Sequence, residues 1–94
     1  MRFIVVAVEE RECISTLTRE FDSKEEAIEY ANKVLIDHLV SHRVENVEKL
    51  YAGWNSFEQF DDFSFVNPLS TVFNSAWSNV GGVDFDTYII PLHD

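Results

Sequence analysis

Thirteen residues from Trp54 to Val66, WNSFEQFDDFSFV, set five large aromatic rings beside three carboxylates with no Lys or Arg among them. The rings gain by leaving water and the carboxylates lose by it, so the surrounding chain must fold into a body that separates the two. Phe57, Phe60 and Phe63 recur every three residues, a spacing that drifts by about 60° per step against the helical period and cannot hold one narrow helical stripe. The stretch predicts a short helical turn from Asn55 to about Phe60. An extended piece should follow, in which Phe63 and Phe65 alternate with Asp62 and Ser64.

The imbalance covers the whole C-terminal half. No Lys or Arg follows Lys49, whereas Glu58, Asp61, Asp62, Asp84, Asp86 and Asp94 do, and ten of the thirteen aromatic residues lie in the same half. The 94-residue chain carries a net charge of −10. Such a body repels nucleic acid phosphates and anionic membranes, which disfavours direct binding to either and makes a basic protein surface the favoured partner. Its length fits a single domain, residues 1–94, with too little bulk for a deep cleft. The lone Cys13 excludes an internal disulfide and reads as a small buried hydrophobe, which fits a cytoplasmic protein. The apolar run Phe3 to Val8 is too short to span a membrane.

Read in order, Arg2 to Glu9 predicts a central strand with both faces covered, Phe3, Val5 and Ala7 on one side and Ile4, Val6 and Val8 on the other. Cys13 to Glu20 is rich in β-branched residues and completes a hairpin. Ser23 followed by Glu26 forms a capping box, and Ala27, Ile28, Ala31, Leu35 and Leu39 make the buried stripe of a helix running to about His42 or Arg43. Val44, Val47, Leu50, Tyr51 and Trp54 predict a second helix, or a bent continuation of the first, up to Gly53. Asn67-Pro68 reads as a helix start, with Leu69, Val72, Phe73, Ala76 and Trp77 as its buried stripe. Val83, Phe85, Thr87 and Ile89 alternate with Asp84, Asp86 and Tyr88 as a half-exposed strand that Pro91 should stop. The sum is an α+β fold, an antiparallel sheet of three or four strands with two or three helices packed on it.

Catalytic chemistry has little to work with. No nucleophile turn accompanies the serines or Cys13, and Gly81-Gly82 is followed by no lysine to hold a phosphate. Asp84 and Asp86 share a strand face, which a solvated acidic strand explains more simply than a cation site. His38 and His42 stand at i and i+4, a spacing that holds zinc if a third ligand arrives from elsewhere, but the HExxH arrangement is missing. They read instead as helix-end histidines, so neither a metal nor a cofactor is expected, and the chain is expected not to be an enzyme.

The aromatic-acidic stretch supports two readings. In one, Trp54, Phe57, Phe60 and Phe63 are ordinary core residues and Glu58, Asp61 and Asp62 are the wet side of the fold. In the other, some rings stay exposed as anchors while the carboxylates meet Arg or Lys on a partner. With its Phe3 to Glu20 hairpin, its capped FDSKEEAIEYANK helix and a C-terminal half free of Lys and Arg, the chain resembles small acidic phage-encoded inhibitors of the anti-CRISPR or anti-restriction kind. That resemblance implies stoichiometric docking on the nucleic-acid-binding surface of a defence nuclease or effector, blocking guide, target or DNA access. The expected partner-binding residues are Trp54, Glu58, Asp61, Asp62, Asp84, Asp86 and Tyr88, on a monomer or homodimer. The alternative is a structural or regulatory domain that self-associates through its aromatic surface.

Overall fold

The computed structural model describes residues 2–9, 17–68 and 74–92. Five strands form one antiparallel sheet: β1 (Arg2–Glu9), β2 (Leu17–Phe21), β3 (Phe63–Ser64), β4 (Asn74–Ser78) and β5 (Phe85–Leu92), in the order β2-β1-β5-β4-β3. Two helices, α1 (Lys24–Ser41) and α2 (Val47–Ala52), join β2 to the second half of the sheet. The α+β class is as expected, and the sheet is wider than the three or four strands that the sequence suggested.

The extra width comes from β4. Ala76 and Trp77, expected side by side on a helical stripe, point to opposite faces: Ala76 is buried and Trp77 is exposed. Asn74, Ser75 and Ser78 are weak helix formers, and here the segment pairs with β5 on one side and β3 on the other, so non-local pairing outweighs the local spacing. Leu69, Val72 and Phe73, the rest of that expected stripe, lie outside the described residues, as does Cys13. Pro91 does not stop β5 but sits within it opposite Phe3. The described ladder with β4 ends at Ile89, so beyond it the missing proline donor can face away from a bonded neighbour.

Helix α1 begins where its sequence says it should. Ser23 holds an extended backbone and its Oγ accepts the Glu26 N–H at 3.2 Å, while Glu25 and Glu26 complement the positive end of the dipole. Its other end closes without glycine. Arg43 takes a left-handed φ of 63°, its N–H bonds the Val40 carbonyl at 3.0 Å, and the Val44 N–H reaches the Leu39 carbonyl at 3.0 Å. This is a Schellman closure with arginine in the position glycine usually fills. Asn46 is also left-handed, and α2 therefore starts at Val47 rather than at Val44.

The core lies between α1 and one face of the sheet. Val5, Ala7, Ala76, Phe85 and Ile89 meet Ala27, Ala31, Leu35 and Leu39, with Val47, Phe63, Phe65 and Val66 completing the cluster. Alanines on both layers allow close approach of helix and sheet. Asn32 is also fully buried: its Oδ1 accepts the Val66 N–H at 2.7 Å and its Nδ2 donates to the Tyr51 hydroxyl at 3.3 Å. It thereby supplies a bond to a backbone amide just past β3 and links α1 to α2.

Candidate functional site

Both described helices pack on the same side of the sheet as the core, and among the described residues no element covers the other face. Strand alternation assigns that face. Ile4, Val6 and Val8 of β1 pair with Ile90, Tyr88 and Asp86 of β5, and Asp86 and Tyr88 pair in turn with Trp77 and Ser75 of β4. Thr18 and Glu20 extend it on the β2 side and Ser64 on the β3 side. The expectation that β1 is central holds, but the expectation that both its faces are covered does not: Ile4, Val6 and Val8 are only half-buried, Ile90 is 47% exposed and Trp77 is 36% exposed. One long helix covers one face.

Carboxylates border this apolar surface. Asp86 is half-buried, and its pKa is pushed up first by that burial and then by the neighbouring Asp84 carboxylate. The Tyr88 hydroxyl is raised in the same way, by burial and then by Asp86. Asp84 accepts a hydrogen bond from the Asn79 amide, and the Asn79 N–H bonds the Asp62 carbonyl at 2.7 Å, so Asp62 and Asp84 flank one asparagine. Among the described residues, the face's cation is Arg2, at the opposite end of β1 from Val8 and roughly 20 Å away at strand spacing. It lies 3.8 Å from Glu20.

The loop before β3 carries the remaining candidates. Asn55 turns the chain, its Oδ1 accepting the Phe57 N–H at 3.1 Å and its carbonyl accepting the Glu58 N–H at 2.8 Å, so the expected helical turn to Phe60 is a single tight turn. Glu58, Asp61 and Asp62 are exposed, and Phe57 is 78% exposed at the tip. A shallow groove lined by Gln59, Phe60, Ser64 and Trp77 joins this loop to the open face.

Trp54 has a different place. Its indole meets the Phe65 ring edge-on at 5.4 Å, and Phe65 also touches Tyr51, Phe60 and Phe63. Phe60 and Phe63 stack at 4.7 Å. These rings are the aromatic wing of the core, each pair adding about 0.5–1.5 kcal/mol beyond its buried area. The structure thus brings Asp84, Asp86 and Tyr88 together, ties the Asp62 backbone to the asparagine that bonds Asp84, keeps Glu58 and Asp61 on the adjoining loop, and turns Trp54 toward Phe65. Among the described residues, sequence reasoning missed Trp77 and Phe57 as exposed rings. The signal for the first was a strand that its neighbours, not its own spacing, create; for the second it was Asn55, a turn former two residues before.

A separate group lies at the far end of β1, where Glu9, His38 and His42 come together. His38 is buried, and its imidazole pKa is lowered first by that burial and then by His42, with Glu9 acting the other way.

No protein-family model, curated protein or solved structure matches this chain. Among the described residues, no helix is long and apolar enough to cross a membrane.

Proposed function

We propose that the chain is a non-catalytic, stoichiometric inhibitor that docks its open sheet face and the adjoining 54–62 loop on a basic, nucleic-acid-binding surface of a partner protein. The mode is that of anti-CRISPR and anti-restriction inhibitors: carboxylates occupy the arginines and lysines that otherwise grip phosphates. The observation that carries it is the Asp84–Asp86 pair, set beside exposed Trp77 and half-buried Val8, with Arg2 far off against Glu20. A desolvated carboxylate next to a second one destabilises the free protein, and a partner's guanidinium relieves both. An apolar centre bordered by charge is also the anatomy of an interface. Self-association through the same face is less favoured, because it opposes two bodies that each carry a charge of −10.

Capture from nuclease-treated lysate tests this, using the wild type beside a variant with Glu58→Gln, Asp61→Asn, Asp62→Asn, Asp84→Asn and Asp86→Asn. A basic protein should be retained by the wild type, released by salt and lost with the variant. Retention that survives both salt and charge removal, or that disappears with nuclease treatment, refutes the proposal.

A further inference from the structure

Glu9, His38 and His42 form a cluster that the docking face does not use. One ligand atom from each, a ring nitrogen or a carboxylate oxygen, lies within 4.8 Å of the other two. The helix sets the two imidazoles one turn apart, with ring centroids 4.4 Å from each other. Strand register supplies the third member: Glu9 pairs with Phe85, and the Phe85 ring lies flat on the His38 ring at 4.1 Å and 9°. Glu9 is therefore brought to the histidine pair by the same residue that fixes the orientation of His38.

An independent observation points to a ligand. His38 is only 8% exposed, and its buried Nε2 has no hydrogen-bond partner. Among the described residues, no hydrogen bond or ion pair joins the three side chains to one another. A buried, unpartnered ring nitrogen is uncommon because it forfeits its hydration without replacement. Two neutral imidazoles and one carboxylate are a donor set that a borderline divalent ion satisfies. Bonds of about 2.0–2.1 Å in a tetrahedral site place donors roughly 3.4 Å apart. Glu9 and His42 are half-buried, with freedom to close the remaining gap, while His38 is held against Phe85.

We infer that Glu9, His38 and His42 bind a zinc ion, with water in the fourth position. The ion ties the end of β1 to the last turn of α1, an attachment that does not depend on any partner.

The experiment is a zinc titration of the full chain against a chromophoric chelator, comparing wild type with Glu9→Gln, His42→Gln and Cys13→Ser. One zinc per chain is expected. The dissociation constant should rise about tenfold or more in the first two variants, at unchanged circular dichroism, and stay the same in Cys13→Ser. In imidazole nitrogen spectra, the signals of His38 and His42 should move on zinc addition and that of His93 should not. A wild type that takes up no zinc overturns the inference, as do Glu9→Gln and His42→Gln variants that bind it equally well. Binding abolished by Cys13→Ser overturns it too, since it would assign the ion to a thiolate.

Discussion

Replacing Asn32 by leucine isolates the bond that holds the segment after β3 against α1. Leucine keeps the branched shape but offers neither the Oδ1 that accepts the Val66 N–H at 2.7 Å nor the Nδ2 that donates to Tyr51. Leaving the buried Val66 amide without an acceptor costs about 1–3 kcal/mol, and losing the partly buried bond to Tyr51 adds about 0.5–1 kcal/mol. A total of about 1.5–4 kcal/mol is a large share of the roughly 5–15 kcal/mol that stabilises a domain. At about 4–8 °C per kcal/mol for a chain of this size, the melting temperature should fall by about 6–30 °C. Urea unfolding followed by tryptophan fluorescence measures the free energy, and amide hydrogen exchange should show Val66 among the sites that speed up most. A loss below about 0.5 kcal/mol, the range of an ordinary surface substitution, would refute the reasoning.

Two further substitutions test other parts of the fold. Asp86→Asn should raise stability near neutral pH. The folded-state pKa of Asp86 is raised, so its carboxylate costs stability once the pH has risen through the window between the ordinary aspartate value and the folded one. The gain should vanish in acid, where both states are protonated, and thermal melts at the two pH values check it. Arg43→Gly should stabilise by about 0.5–1 kcal/mol, as relief of the left-handed cap outweighs the flexibility that glycine adds to the unfolded chain. Urea midpoints decide this, and a destabilised variant would show that the Arg43 side chain contributes more than its backbone strain costs.

Much of the architecture was legible because it is set locally. The Ser23 cap, the Ala27 to Leu39 stripe and the alternation along β1 and β5 each depend on residues a few positions apart. The same alternation placed Asp84 and Asp86 together. Asn32 and the burial of His38 escaped because residue identity and position disagree: both are polar yet buried, and their partners, Val66 and Phe85, are distant in the chain. The orientation of Trp54 escaped because five neighbouring rings offer many packings, and the choice of Phe65 as their hub follows from where β3 docks. The open face escaped for a related reason. Ile4, Val6 and Val8 look inward-facing in sequence, and only the number of helices available to cover them shows otherwise.

The brevity of β3 affects how the protein behaves when concentrated. A margin of two residues presents too few unpaired amides and carbonyls to template an added chain, and the acidic loop leading into it repels an incoming copy. β3 covers Trp77 and Ser78 of β4, and there its short margin and the acidic loop disfavour the addition of a further strand to a molecule with greasy side chains on its surface.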